Sequence, residues 1–216
     1  MNGKDLIIKT FRHEVTPRLP WVPFAGVHAG KLKGYSAKEV LLDGDKLFEA
    51  LMEANRLYMP DGQPVVFDLQ LEAEILGCEL MWADDNPPSV RTHPLANVDE
   101  IPDRLVRADD GRIPLVMEAT RRLKEAVGEK TALFGLFCGP LTLASHLRGT
   151  SLFTGMRKAP DYVRAIMNYA TENAMRMIDF YAEAGADVIA PVDPVVSQIS
   201  PKNFRDFLTE PYQRIF

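Results

Sequence analysis

The chain has 216 residues, 46% of them hydrophobic and 25% charged, which excludes a disordered chain and fits an ordinary globular protein of one or two domains. Its 25 Lys and Arg against 30 Asp and Glu leave a net charge of −5, so non-specific binding to nucleic acid or to an anionic membrane is not expected. Cys78 and Cys138 lie far apart, in no CxxC or CxH motif; this argues against a disulfide framework or a zinc finger, and for free thiols in a reducing compartment.

In chain order, Leu6 to Ile8 is an apolar run too short for a signal peptide or a membrane span, and no later run reaches spanning length; the expected location is the cytoplasm. Trp21 to Ala25 is the first of four short apolar runs suited to buried parallel strands, ending at Gly26. Asp45 reads as the N-cap of a helix with Leu47, Phe48, Leu51, Met52, Asn55 and Tyr58 on one stripe. Val65 to Asp68 is the second strand. Asp84 to Arg112, with Pro87, Pro88, Pro94 and Pro102, reads as a long excursion over the surface. Ile113 to Val127 is a helix with Val116, Ala119, Leu123 and Val127 on one face and Gly128 as its stop. Ala132 to Cys138 is the third strand, stopped by Gly139-Pro140. Pro160 to about Ala184 is the longest helix, with Pro160 in its first turn and Gly185 past its end. Asp187 to Val192 is the fourth strand. Ser200-Pro201 caps a last helix carrying Phe204, Phe207, Leu208 and Ile215. This alternation predicts an α/β protein with a parallel sheet, either open or part of a barrel. Neither GxGxxG nor GxxxxGK[ST] follows any strand, so the two commonest nucleotide-binding signatures are absent.

The text from Ala132 to Gly149, with Cys138-Gly-Pro-Leu-Thr-Leu-Ala144 inside it, resembles the strand–GPFTLA–helix motif of the uroporphyrinogen decarboxylase superfamily. Arg18-Leu-Pro-Trp-Val-Pro23, Val66 to Gly77, Ala184 to Asp193, and Ile199 to Tyr212 resemble further segments of that family, in the same order. The resemblance covers nearly the whole chain. It implies a (β/α)₈ barrel with its site at the C-terminal ends of the strands. It also implies an enzyme, either a tetrapyrrole decarboxylase or a corrinoid-dependent methyltransferase of the methylcobamide:coenzyme M kind.

On this resemblance Asp68 matches the aspartate that, in the decarboxylases, accepts hydrogen bonds from pyrrole N–H groups; the alternative is a capping Asp at a strand-to-helix turn. Glu72 and Glu74 lie in the first turns of the next short helix, in a VEAE-like run closer to the methyltransferase branch. Glu72 reads equally as a site residue or as a partner of the positive helix end, and Glu74 as the latter. At the decarboxylases' MRQAGR pattern, whose arginines bind substrate carboxylates, this chain has Val27 and Lys31, neither of which offers a bidentate fork. His28 beside them is a candidate binding residue, with a local hydrogen bond as the competing role. His146 stands where decarboxylases carry a tyrosine, and Asp193 is the polar group at the fourth strand end; both are candidate catalytic residues, against a helix histidine and a turn aspartate. Cys138 is a candidate pocket-lining thiol or a small core residue.

The resemblance therefore implies methyl transfer between a methylcobamide and a thiol or tetrahydrofolate, with a corrinoid, or a protein carrying one, as partner. Decarboxylation of a tetrapyrrole, and a non-catalytic corrinoid- or tetrapyrrole-binding module, are the alternatives. The methyltransferases' zinc ligands form an HxC motif and a later Cys in the second half of the barrel. No HxC occurs here, so no residue is assigned to metal. The chain reaches Phe216 soon after its fourth strand. Four strands would leave an unpaired parallel edge, so residues 1–216 are expected to be the N-terminal half of one barrel domain, with zinc expected only in its C-terminal half. Pairing with a second chain, as in a homodimer, could also complete the barrel.

Overall fold

The computed structural model describes residues 1–216. Its strands are β1 (Gly62–Pro64), β2 (Leu80–Met81), β3 (Ser89–Val90), β4 (Ala132–Cys138) and β5 (Val188–Val192). The α/β expectation holds: β1, β4 and β5 form a parallel sheet in the order β1-β4-β5, with Gly62 opposite Ala132 and Phe134 opposite Val188. The central strand β4 is buried along its whole length. Alternation sends its side chains to two sides. Leu133 and Phe137 join the core made with the helices Gly44–Tyr58, Ile113–Val127 and Pro160–Ala184. Ala132, Phe134 and Leu136 join Ile7 and the part-buried Val22, Phe67, Val188, Ala190 and Val192 on the other side.

Two of the four expected strands differ from the sequence reading. Trp21 to Ala25 forms no strand, although the Trp21 carbonyl accepts from Asp61 N at 3.0 Å. Pro20 and Pro23 explain this, since neither has an N–H to give to a ladder. At the second position the sheet pairing lies three residues earlier, on Gly62–Pro64, and Val65 to Asp68 is the buried segment leaving it. Gly62 is required there because a Cβ would meet the Phe134 ring at 2.5 Å.

The excursion from Asp84 to Arg112 is not confined to the surface. Its strand β3 pairs antiparallel with β2, and Leu95, Val106 and Arg112 are buried. Leu95 N donates to the Leu147 carbonyl at 2.9 Å, and Val106 N to the Asn173 side-chain oxygen at 2.9 Å. The cap of the Gly44–Tyr58 helix is Asp43, whose Oδ1 accepts from Asp45 N and Lys46 N. The last helix is two, Pro201–Phe207 and Thr209–Ile215. Pro211 accounts for the break, because its ring removes a donor and crowds the Phe207 carbonyl.

Candidate active site at the strand ends

The chain leaves β1 through buried Val65 and Val66 and reaches Asp68, whose side chain is fully shielded from solvent. One carboxylate oxygen, Oδ1, accepts from Gln70 N at 2.9 Å and turns the chain into the helix Leu71–Ile75. The other, Oδ2, takes Arg112 Nη1 at 2.5 Å. Arg112 then reaches Glu74, with Nε to Oε2 at 2.8 Å, and lies 5.2 Å from the centre of the Trp82 ring. The capping reading and an ion pair thus share Asp68, and Glu74 is a partner of Arg112.

Glu72, two residues before Glu74 on the same short helix, points into the protein and is 1% exposed. Its Oε1 accepts from Cys138 N at 2.9 Å, which ties the helix to the end of β4. Its Oε2 is buried without a partner. Burial lifts the Glu72 carboxyl to about 7; the Cys138 N–H works against the rise, and the Asp68 charge adds to it. The Cys138 thiol is fully buried, and loss of solvent pushes it well above its ordinary value. In these surroundings the thiol stays protonated and is not a thiolate nucleophile.

Beyond Gly139-Pro140 runs the helix Pro140–Arg148. His146 sits in its last turn, with Nε2 buried and unpartnered. Burial brings its imidazole down to about 4; His93 pushes the same way and Asp68 opposes. The His146 carbonyl accepts from His93 Nδ1 at 2.7 Å. Asp193 follows β5 and caps this same helix from outside it. Its carboxylate accepts from Leu141 N at 3.0 Å, Thr142 N at 2.8 Å, Thr142 Oγ1 at 2.5 Å and Tyr212 Oη at 3.0 Å. That geometry is a helix cap. It also explains Gly139, since a Cβ there would lie 2.3 Å from Asp193 Cβ.

The matches to known proteins follow this geometry. The family model "Uroporphyrinogen decarboxylase (URO-D)" matches residues 2–216. The chain belongs to the uroporphyrinogen decarboxylase family. Within it, the chain is 27% identical to the methylcobamide:CoM methyltransferase MtbA of Methanosarcina acetivorans, over 98% of this chain and 64% of that protein. It is 37% identical to the methylcobamide:CoM methyltransferase MtaA of Methanosarcina barkeri, over 68% of this chain and 44% of that one. A solved methyltransferase from Methanosarcina mazei superposes with a TM-score of 0.90 at 28% identity, covering 99% of this chain and 66% of the other. The chain thus spans less than two thirds of the length of these relatives.

For a member of this family, the candidates divide in two. Asp68, Glu72 and Cys138 meet at the strand ends; Asp68 acts electrostatically on His146, and Asp193 braces the helix that carries it. His28 and Lys31 bond other partners and are exposed, on the short helix His28–Lys31 whose Ala29 and Gly30 are buried. His28 Nε2 bonds Tyr58 Oη at 2.8 Å and Lys31 pairs with Asp85 at 2.9 Å, the local bonding weighed for His28. Arg112 and Trp82 are the members of the cluster that the sequence reading passed over, and Glu74, read there as a partner of the helix end, pairs with Arg112. No group of three or more His, Cys, Asp or Glu side chains is placed to hold a metal ion, so the residues present do not form a zinc site. No helix is long and apolar enough to cross a membrane.

Chemically, the site sets two carboxyls in unlike surroundings: Asp68 faces a guanidinium, while Glu72 has no cation bonded to it and titrates near neutrality. Such a split suits proton donation or acceptance by Glu72 at neutral pH. Its effect on stability has a definite sign. A carboxyl raised from 4.5 to about 7 favours folding at low pH and loses that contribution as pH climbs through 7. A histidine lowered from 6.5 to about 4 does the reverse, favouring folding above 6.5 and losing it as pH falls toward 4. The two oppose each other between those limits. In urea titrations from pH 4 to 8, Glu72→Gln is expected to leave a stability that rises with pH, and His146→Gln one that falls. Parallel profiles for the two variants would refute both assignments.

Proposed function

We propose that this chain is part of a corrinoid-linked methyltransferase, moving a methyl group between a methylcobamide and a thiol or tetrahydrofolate. The likeness to methylcobamide:CoM methyltransferases over 98% of the chain carries this reading. The site supports it against tetrapyrrole decarboxylation. Uroporphyrinogen offers many carboxylates and pyrrole N–H groups. Arg112, the one buried arginine, is already shared by Asp68 and Glu74. Lys31 is exposed and paired with Asp85. Both Asp68 oxygens already accept hydrogen bonds and the side chain is shielded from solvent, so pyrrole N–H groups would have to enter a place that Arg112 and the Gln70 N–H already hold.

In this proposal the parallel sheet is part of a (β/α)₈ barrel, and residues 1–216 form the N-terminal portion of that one domain. Glu72 holds or moves a proton at Oε2 beside the bound corrinoid, and Asp68 with Arg112 fixes the strand end that presents it. His146 and Cys138 form the wall, Asp193 holds the helix behind them, and His28 and Lys31 lie at the outer rim. Zinc, which lowers the pKa of a thiol acceptor when bound, belongs to the third of the relatives' length that this chain does not span. The full-length protein, assayed in zinc-containing buffer, should demethylate methylcobalamin with a thiol or tetrahydrofolate and leave uroporphyrinogen unchanged. Release of carbon dioxide from uroporphyrinogen without methyl transfer would favour the decarboxylase reading.

A further inference from the structure

The Asp68–Arg112 pair is closed off from water: the Asp68 side chain is fully shielded, and the Arg112 side chain is 9% exposed. Trp82 lies against the guanidinium, with its ring centre 5.2 Å away. It stands on a hairpin, residues 79–91, in which β2 and β3 pair over only two residues each. Arg91 N donates to the Glu79 carbonyl at 2.8 Å and closes the hairpin's base. On either side of that base the chain is fixed. Cys78 and Leu95 are both buried; Cys78 Sγ reaches the His146 carbonyl at 3.4 Å, and Leu95 N donates to the Leu147 carbonyl at 2.9 Å. Gly77, just before Cys78, has a φ of +101°, which favours glycine.

Beyond the base, little ties the hairpin down. Between Met81 and Ser89 only Trp82 and Pro88 are not exposed. At the tip the Asp84 carbonyl accepts from Ala37 N at 2.6 Å, and Asp85 pairs with Lys31 at 2.9 Å. Both side chains of that ion pair are exposed, so it contributes little. The ladder bonds of β2 and β3 run within the hairpin and would travel with it. Lifting it therefore breaks the contacts to Ala37, Lys31 and Arg112 and uncovers Pro88, while the parallel sheet stays whole. Segments held by so few contacts open locally, well short of global unfolding. We propose that residues 79–91 are a lid over the Arg112–Asp68 pair, hinged beside Gly77 and latched at its tip by Ala37 and Lys31. As the lid lifts, Trp82 leaves the guanidinium and opens the strand-end site to solvent. That the lid admits a corrinoid rests on the methyltransferase reading; the lid itself does not.

Amide hydrogen exchange of the chain alone, followed by NMR, tests the lid. The Ala37 N–H has its acceptor on the lid and reports opening; the Leu95 N–H reports the fixed base. Helix Ala37–Leu42 is held at its start by its own capping box, Ser36 with Glu39, so fraying of that helix is not what frees Ala37. Ala37 should be protected at least about a hundredfold less than Leu95. Trp82→Ala should speed Ala37 exchange about tenfold, the worth of a desolvated cation–π contact. Asp85→Lys, at an exposed site, should speed it about threefold, and Lys31→Asp added to Asp85→Lys should restore the original rate. Leu95 should exchange unchanged throughout. Equal protection of the two amides, or equal acceleration of both in the two single variants, would overturn the lid, because the hairpin would then open only with the body of the protein. Methylcobalamin association, followed by stopped-flow absorbance, should quicken in the same variants. Faster Ala37 exchange with no effect on cobalamin would uphold the lid and remove the corrinoid as what it admits.

Discussion

Replacing Arg112 with methionine should cost about 3–5 kcal/mol of folding stability, the range found when one member of a buried ion pair is removed. The methionine fills much of the same volume, so lost packing is a small part of the effect. What remains is Asp68, fully shielded from solvent, with no counter-ion on Oδ2, while Glu74 and Trp82 lose their shared partner. The double variant Asp68→Asn with Arg112→Met separates the causes, because it removes the stranded charge together with the cation. It should recover most of the loss in a urea titration. A double variant no more stable than Arg112→Met would mean that Arg112 matters for its shape and not for its charge. Lysine in place of Arg112 should fall between, since an ammonium can serve Asp68 but cannot fork to Glu74 as well.

Asp193→Ala should be nearly as damaging, at about 3 kcal/mol. Two backbone N–H groups at the start of the helix Pro140–Arg148 lose their acceptor, worth about 1–2 kcal/mol as a cap. The hydroxyls of Thr142 and Tyr212 lose theirs too, at about 1 kcal/mol each; the bonds affected are all to the one carboxylate. Gly139→Ala should reproduce much of this by pushing Asp193 away, since the added Cβ would fall 2.3 Å from Asp193 Cβ. Gly139 has a φ of −66°, open to any residue, so its loss would come from that contact alone. Thermal unfolding of Asp193→Ala, Gly139→Ala and the double variant checks this. Costs that add fully would show that the two residues act separately.

Where local physics decided the structure, the sequence was legible to the residue. The helix Pro160–Ala184 begins on a proline with no N–H to leave unpaired and stops at Gly185, whose φ is +91°. Strand β4 runs over the predicted Ala132–Cys138 because it is apolar throughout and punctuated by Gly139-Pro140. Two short helices, Gly3–Phe11 and Ala37–Leu42, went unread although their capping boxes, Asn2 with Asp5 and Ser36 with Glu39, stand in the sequence. Pairing was harder. Val65 to Asp68 reads as a strand because it is largely apolar, but the ladder falls on Gly62–Pro64, where the Phe134 ring leaves no room for a Cβ on Gly62, and Val65 N adds a last bond to the Phe134 carbonyl.

The sequence placed Asp68, Cys138 and Asp193 at or just after expected strands and Glu72 and His146 on the helices that follow, which is where the structure has the two helix residues. Their division of labour was not legible, because it depends on partners distant in sequence. Arg112 follows Gly111 in a polar stretch and reads as a surface residue; only the fold carries it beneath Trp82 to Asp68. One signal was available. Asp68, Glu72 and Glu74 crowd acidic groups into seven residues with no cation among them, and burying them calls for one from elsewhere.

The most direct test of the account is a side-by-side equilibrium titration of this chain with methylcobalamin and with uroporphyrin, followed by absorbance. The account predicts saturable binding of the corrinoid, weakened about tenfold by Glu72→Leu, and no saturable binding of the carboxylate-bearing porphyrin. Preferential binding of uroporphyrin, or corrinoid binding indifferent to Glu72, would contradict it.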